Sequence, residues 1–319
     1  MLNKNNFEIE ISVVSPLHNE SLNLKEHFKS IEKSLSEFGR SFEIIFINDG
    51  STDSSEKEIF ELYNENSNVT AINLYKKNGK AAALETGFEY AKGKYIVIID
   101  SDLQYDPSDI PSMILELENG FDVISGKRIS REDNKSVIVT SLIFNSIIRK
   151  LSGLNFRDFF SGLKCFKKEV IDYLSLYGDL YRFAVVFAHK QNFSVKEMPV
   201  KHYRRNLGES KYSFFKRSGM AILDIMTILL TITFNENLAY YAGLAGSLLF
   251  SCGSFFIFAA FILNARIINF DSILFYLGII TIFISIQLLL LKKISFDFFY
   301  RHRKDLTKRK RNIKNIFQK

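Results

Sequence analysis

Tyr95-Ile-Val-Ile-Ile-Asp-Ser-Asp102 is the stretch on which the reading of this chain turns. The apolar, β-branched run reads as a buried strand, and it empties directly into two carboxylates one residue apart. Gln104 and the turn-forming pair Asp106-Pro107 follow at once. Carboxylates at the carboxyl end of an internal strand are costly unless something cationic meets them there. A divalent metal carrying a nucleotide diphosphate suits that place, with hard oxygen ligands from the protein and phosphate oxygens completing the shell. The plain alternative is a strand running into a solvated acidic turn, because a DxD triplet is common by itself.

Working outward, the first half of the chain alternates strand and helix. Ile9–Ser15, Phe42–Ile47, Val69–Leu74 and Tyr95–Ile99 read as short strands rich in Ile and Val. Between the first two, Leu24, Phe28, Ile31, Leu35 and Phe38 recur at spacings of three and four and give one apolar helical face, with Gly39 placed to stop it. A second helix is expected over Ser54–Asn64, capped by Asp53 or Ser54, and a third over Lys80–Ala91, ending at Gly93. Such alternation implies an α/β fold with a mostly parallel, Rossmann-like sheet, whose ligands bind at the carboxyl ends of the strands.

Three polar loops fall at those ends: Pro16-Leu-His-Asn-Glu20, Asn48-Asp-Gly-Ser-Thr-Asp53 and Asp100-Ser-Asp102. Any one of them is an ordinary turn; their convergence on one sheet edge marks a site. The dinucleotide fingerprint GxGxxG is absent, which argues against a dehydrogenase. Farther on, a strand over Asp122–Ser125 leads into Ser125-Gly-Lys-Arg-Ile-Ser-Arg131, and an amphipathic helix is expected over Val137–Leu151. Arg157-Asp158, Ser161-Gly-Leu-Lys164, a strand over Ser194–Val200, His202-Tyr-Arg-Arg205 and Gly208-Glu-Ser-Lys-Tyr212 follow. The guanidinium fork matches phosphate oxygens in pairs, so these arginines are candidates for phosphate clamps, with a solvated surface charge as the competing reading for each.

The composition is split along the chain. Leu238–Leu263 is 26 residues without a charge, and Ser272–Leu291 is 20 more, each long enough to cross a hydrocarbon core of about 30 Å. Of the net charge of +7, residues 292–319 contribute +9 and the remainder −2. A basic cluster directly after an apolar span fits the positive-inside rule and attraction to anionic headgroups, and it disfavours a nucleic-acid tail. The loop 264–271 has Arg266 as its one basic residue and is expected outside. Both the basic tail and the large N-terminal region are then cytoplasmic. The expected localisation is the inner (cytoplasmic) membrane, multi-pass. Met1–Glu10 is polar and has no apolar segment of signal-peptide type. Phe214–Phe234 is apolar but interrupted by Lys216, Arg217 and Asp224, and reads as an amphipathic helix in the headgroup region. Cys165 and Cys252 read as reduced structural thiols. The domain organisation expected is a catalytic domain over 1–213, a juxtamembrane helix over 214–236, a two-helix transmembrane hairpin over 237–292 and a basic tail over 293–319.

The succession PLHNE, NDGSTD, NGKAAALETGFEYAKG, DSDLQYDP, SGLKCFKKEV and GESKYS resembles the family 2 glycosyltransferases. It is most similar to the polyprenyl-phosphate branch, such as dolichyl-phosphate mannose synthases and bactoprenol glucosyltransferases, over approximately residues 7–213 and, in layout, the two spans. The resemblance implies a GT-A fold and inverting transfer of a sugar from a nucleotide-diphospho-sugar to a lipid phosphate. It assigns Pro16, Leu17, His18, Asn19, Glu20, Asp49, Lys80 and Ser101 to the nucleotide-sugar pocket. Asp100, Asp102 and Gln104 go to a Mg²⁺ or Mn²⁺ and diphosphate site. Arg128 and Arg131 fall where basic residues meet phosphates, with Ser161, Arg204, Arg205 and Lys211 toward the acceptor. The family usually shows Tyr where this chain has His18. Leu163 stands where bactoprenol glucosyltransferases commonly carry Asp, while Asp158 matches the mannose synthase form DxxSGF, so no single catalytic Asp is assigned beyond the candidate Asp158.

The chemistry agrees with that resemblance. A lipid phosphate is already anionic at neutral pH and needs no strong base, so catalysis rests on holding two mutually repelling anions and stabilising the leaving diphosphate. UDP-glucose is the favoured donor with GDP-mannose next, and undecaprenyl phosphate the favoured acceptor. A processive polysaccharide synthase is the first alternative, but its QxxRW motif needs Trp and the chain has none. A membrane-tethered nucleotide-sugar binding protein without activity is the second. Oligomeric state is left open, although a helical tail would be able to support a homo-oligomer.

Overall fold

The computed structural model describes residues 8–129, 135–173, 178–204, 236–263, 271–300 and 313–318. The chain divides into two compact units, one running to Ile225 and resuming at Thr307, the other spanning Met226–Leu306.

The first unit is built on an eight-stranded sheet. Its strands are β1 (Ile11–Leu17), β2 (Phe42–Asn48), β3 (Val69–Leu74), β4 (Tyr95–Ile98), β5 (Val123–Arg128), β6 (Lys164–Lys167), β7 (Val195–Val200) and β8 (Ile313–Phe317). Their order is β7-β5-β6-β4-β1-β2-β3-β8. β4, β1, β2 and β3 run parallel, as do β5 and β7, while β6 enters antiparallel between β4 and β5. Every residue of β1 and β4 is buried, which is why these central strands read as unbroken apolar runs rather than alternating ones.

The crossovers follow the periodicity. In α1 (Leu24–Phe38) the side chains of Leu24, Phe28, Ile31 and Leu35 are buried against β1, β2 and β4, each worth on the order of 2 kcal/mol. Gly39 ends the helix at φ 72°, its N–H reaching the carbonyls of Leu35 and Ser36. α2 (Ser55–Glu65) starts where the Asp53 carboxylate accepts the Ser55 N–H at 3.0 Å, so Asp53 rather than Ser54 supplies the capping oxygen. α3 (Lys80–Tyr90) follows β3, and α4 (Ile110–Glu118), entered through a 3-10 turn at Pro107–Asp109, follows the DSD loop. α5 (Lys135–Ser152), α6 (Lys168–Tyr173) and α7 (Ala184–Lys190), the last preceded by a 3-10 helix at Gly178–Phe183, complete the described helices of this unit.

β8 is a finding the sequence reading did not contain, having placed 293–319 wholly in a basic tail. Residues 313–317 lie antiparallel on β3, with Asn73 opposite Asn315. Phe317 packs on Phe60 with ring centroids 4.7 Å apart, while Lys314 pairs with Glu56 at 2.9 Å. The strand period of two is present, with Lys314 and Ile316 exposed and Asn315 and Phe317 half-buried, but the basic residues around it obscure the pattern.

The second unit consists of two helices, Glu236–Leu263 and Asp271–Tyr300, 28 and 30 residues long. They approach closely at glycines: a Cβ on Gly278 would lie 2.9 Å from the Gly253 carbonyl, and the buried Ser285 hydroxyl donates to the Gly246 carbonyl at 2.7 Å. Among the described residues no helix is long and apolar enough to cross a membrane. The expected juxtamembrane helix, apart from Glu236, lies outside the described residues, as do the loop 264–270 and residues 301–312.

Candidate active site

The carboxyl ends of β1–β4 gather the first group of predicted residues. Pro16 lies past the last β4 partner of β1, and its carbonyl accepts the Ser101 hydroxyl at 3.2 Å, tying the DSD loop to the first loop. His18 Nδ1 lies 2.8 Å from the Asp49 carbonyl oxygen. Asn19 holds φ 54°, a left-handed conformation that Asn adopts more readily than other side chains. From there its N–H donates to Ser51 Oγ at 2.8 Å and its Oδ1 accepts the Thr52 N–H at 2.8 Å. The Glu20 N–H donates to Ser55 Oγ, and the buried Glu20 carboxylate accepts from Asn23 at 2.8 Å. The PLHNE and NDGSTD segments are therefore one hydrogen-bonded unit.

Asp49 is buried, and its two carboxylate oxygens accept the N–H groups of Asn78 (2.6 Å) and Gly79 (2.9 Å). It thereby fixes the loop leading into α3, which carries Lys80. Gly50 at φ 59° allows this approach, since a Cβ there would lie 2.4 Å from the backbone of Lys76 and Lys77. Lys80 Nζ reaches back to Asp100 Oδ1 and lies 5.4 Å from the centroid of the Tyr181 ring. Burial works against the Lys80 cation, but the Asp100 charge, with Tyr181, more than offsets it, and its pKa is raised.

The DSD loop bends sharply. Leu103 sits at φ 60°, a strained conformation for a bulky side chain, of order 1–3 kcal/mol, and strain of that kind concentrates at functional loops. Asp102 Oδ1 accepts the Gln104 N–H at 3.2 Å, and Gln104 Nε2 lies 3.4 Å from the Tyr203 carbonyl. Asp100, Asp102 and the Gln104 amide are all oxygen donors suited to a hard cation. Two carboxylates make an incomplete cage, and among the described residues no cluster of three or more His, Cys, Asp or Glu exists to hold a metal alone. The stationing of an ammonium group on Asp100 shows that the carboxylate sits where positive charge is favoured. That donor set fits a Mg²⁺- or Mn²⁺-type ion sharing its shell with phosphates.

The second group lies at β5–β7. Arg128 ends β5 and is bound in fork fashion by Asp158, Nε to Oδ2 at 2.7 Å and Nη2 to Oδ1 at 2.9 Å, with both side chains largely buried. The N–H groups of Arg157 and Asp158 converge on Glu197 Oε1 of β7 at 2.8 and 2.7 Å, which places Asp158 under Arg128. Ser161 is buried and bonded to Tyr105 and the Leu163 carbonyl rather than presented to solvent, and Arg204 is exposed. Arg131, Arg205 and Lys211 lie outside the described residues.

A model of the family described as Glycosyl transferase family 2 matches residues 12–186, more than half of the chain and every strand-end loop of β1–β4. The chain belongs to glycosyltransferase family 2. The undecaprenyl-phosphate 4-deoxy-4-formamido-L-arabinose transferase of Proteus mirabilis is 31% identical over 223 residues, covering 70% of this chain and 68% of that protein. The protein of the same name from Klebsiella pneumoniae is 30% identical over the same shares. Among solved structures, glucosyl-3-phosphoglycerate synthase from Mycobacterium tuberculosis in complex with Mn²⁺ and UDP-Glc superposes with a TM-score of 0.53. It is 18% identical and covers 72% of this chain and 80% of that one, a likeness of fold.

This glycosyltransferase also places residues in its site that the sequence reading left out. Lys164 of β6 is buried, with Nζ donating to the Ser161 carbonyl. Burial first, then the neighbouring Lys80 charge, pull its pKa down to about 7, with Asp158 and Asp100 acting the other way. The Tyr105 hydroxyl accepts the Gly162 N–H at 2.7 Å, and burial pushes its pKa up to about 12. The only sequence-level signal for these was a Lys opening the short strand KCFK, with a Gly two residues before it in SGLKCF.

Proposed function

We propose that this glycosyltransferase moves a sugar, with inversion, from a nucleotide-diphospho-sugar to a polyprenyl phosphate. The observation that carries this reading is one sheet edge holding two complementary halves. The laced loops 16–20, 49–55 and 78–80 border the DSD carboxylates on one side, and the Arg128–Asp158 pair lies on the other. The named relatives, transferases acting on undecaprenyl phosphate, support the acceptor class.

In this reading the β1–β3 loops hold the base and ribose, and Asp100 and Asp102, with Gln104, would hold a divalent cation. When bound, that ion would neutralise the leaving diphosphate. Lys80, now on Asp100, is within reach of the same charge. Arg128 presents a guanidinium on the acceptor side, its orientation fixed by Asp158. The attacking lipid phosphate oxygen is an anion already, so no residue is assigned as general base.

The helices Glu236–Leu263 and Asp271–Tyr300 serve as a membrane hairpin. Phe255 and Phe258 are 66% and 62% exposed, as are Tyr276 and Phe283 at 63% and 62%, an apolar surface suited to lipid rather than water. Glycine contacts and an interhelical Ser285 bond are how helices associate where lipid removes the hydrophobic drive. The chain before and after this hairpin belongs to one sheet, because β8 pairs with β3; an even number of crossings is what that connection supports. In this reading the catalytic unit lies on the cytoplasmic face.

The test is a panel of donors, UDP-glucose, GDP-mannose and a nucleotide-linked 4-deoxy-4-formamido-L-arabinose, each with undecaprenyl phosphate and Mg²⁺ or Mn²⁺. The expected outcome is a lipid-phosphate sugar from one donor, UDP-glucose being favoured. Transfer to a growing glycan and not to the lipid phosphate would overturn the reading.

A further inference from the structure

The geometry points to Tyr105 as a positioning residue that, through Gly162, fixes the metal-side face of Asp100 and ties it to the basic segment after β7. The inference deepens the reading given under Proposed function and rests on it.

Tyr105 closes the loop that Asp100 opens, and it is buried where that loop meets two others. Its hydroxyl accepts the Gly162 N–H at 2.7 Å and lies 3.4 Å from Ser161 Oγ. Gly162 is held against Asp100: a Cβ built on it would lie 2.5 Å from Asp100 Oδ2 and 2.9 Å from the Tyr105 ring. No side chain fits there, so the peptide of residue 162 forms a wall behind one oxygen of Asp100 while Lys80 meets the other. From the far side, Lys164 Nζ donates to the Ser161 carbonyl, so the wall is pinned at both ends.

The other edge of Tyr105 faces the segment leading to Arg204. Tyr105 and His202 form an isolated antiparallel bridge, with their rings edge to face at 5.0 Å. The neighbouring Tyr203 N–H donates to the Gln104 carbonyl at 2.8 Å, and the Tyr203 hydroxyl reaches Asp106 at 3.1 Å. One side chain therefore joins the carboxylate loop, the SGLK loop and the basic segment. A shift of the DSD loop cannot leave the other two unmoved.

Losing the hydroxyl leaves the Gly162 N–H without its acceptor. The net contribution of one hydrogen bond of that kind corresponds to a roughly three- to tenfold change in an equilibrium it supports. Mn²⁺ binding to the full-length protein in detergent, measured by electron paramagnetic resonance with UDP and separately with GDP, reads this without turnover. In Tyr105→Phe the Mn²⁺ dissociation constant is expected to rise three- to tenfold, with the KM for undecaprenyl phosphate rising alongside it. Gly162→Ala is expected to raise the Mn²⁺ constant more than tenfold by pushing on Asp100, and it carries the test should Tyr105→Phe fold poorly. Tyr95→Phe, removing a buried tyrosine hydroxyl at the opposite end of β4, is the structural control and should leave Mn²⁺ binding unchanged. Wild-type Mn²⁺ affinity in both Tyr105→Phe and Gly162→Ala would overturn the inference. Failure of the wild-type protein to bind Mn²⁺ with either nucleotide would instead overturn the metal reading beneath it.

Discussion

The two halves of the site are held together by different forces. Around β1–β3, backbone N–H groups of one loop meet side-chain oxygens of the next: Asn19 with Ser51 and Thr52, Glu20 with Ser55, Asp49 with Asn78 and Gly79. Around β4–β6 bonds of that kind, such as the Gly162 N–H to the Tyr105 hydroxyl, are joined by ion pairs, Lys80 with Asp100 and Arg128 with Asp158. Backbone hydrogen bonds fix loop shape whatever is bound, and so preorganise a pocket suited to the neutral base and ribose of the proposed donor. In the proposed function, ion pairs between groups that would each meet a charged ligand are exchangeable partnerships, made internally until phosphates or a cation arrive. One half is a mould and the other a set of charges waiting to be re-paired.

The strongest way to break that contrast is to remove charge from the second half. Asp102→Asn keeps size and the hydrogen bond from the Gln104 N–H while taking away a carboxylate that would neutralise the metal. Activity is expected to fall about 10²–10³-fold, the size of losing one preorganised electrostatic contact at a developing charge. Product assay beside a thermal-unfolding trace checks it; full activity with an intact fold would end the metal assignment.

Arg128→Ala comes next, because it takes from the buried Asp158 carboxylate the fork-fashion partner that meets both of its oxygens. Breaking such a pair from one side costs about 3–5 kcal/mol. The second mutation sharpens the comparison: Arg128→Ala with Asp158→Asn should recover much of the thermal midpoint and none of the transfer activity. Recovery of activity would show that the pair serves the fold alone.

How much of this could be read from the amino-acid sequence differs between the halves in the same way. The first half consists of local signals: strand, polar loop, helix, with Gly39 and Asp53 marking boundaries that the structure repeats. The second half depends on partners far apart in sequence. Nothing in Arg128 or Asp158 alone says that they bind one another, because β6 enters antiparallel between β4 and β5, and strand order is not a local property. β8 stayed hidden for a related reason, since a five-residue alternation inside a basic run carries little weight until β3 offers it an edge. Lys164 and Tyr105 carry no assigned role in the sequence, because it is the fold that brings Ser161 and Gly162 to them.

His27 gives a smaller and pH-dependent test, placed beneath the first half. Its ring lies 2.9 Å from the Ser15 hydroxyl, and burial lowers its pKa to about 4, against a partial opposing pull from Asp100. The unfolded chain takes up this proton near pH 6.5 and the folded one only near 4. The stabilisation is therefore whole above pH 6.5 and drains away as pH falls toward 4, by up to about 3 kcal/mol. Thermal midpoints of wild type and His27→Gln should diverge most near neutrality and converge by about pH 4.5. Parallel curves would mean that the ring titrates normally.

The finest test asks whether the first half is a mould at all. Asn19 occupies a left-handed backbone position and uses both its backbone N–H and side-chain oxygen to hold the next loop. Asn19→Gly keeps the backbone freedom and loses the side-chain bonds; Asn19→Ala loses both. Left-handed backbone costs a Cβ-bearing residue about 1 kcal/mol, so Ala should weaken UDP or GDP binding several-fold more than Gly does, as measured by calorimetry. If loop shape matters less than the Asn19 side chain itself, the two variants will bind alike. The backbone would then have to be counted as another set of replaceable partners, and the contrast with the charged half would collapse.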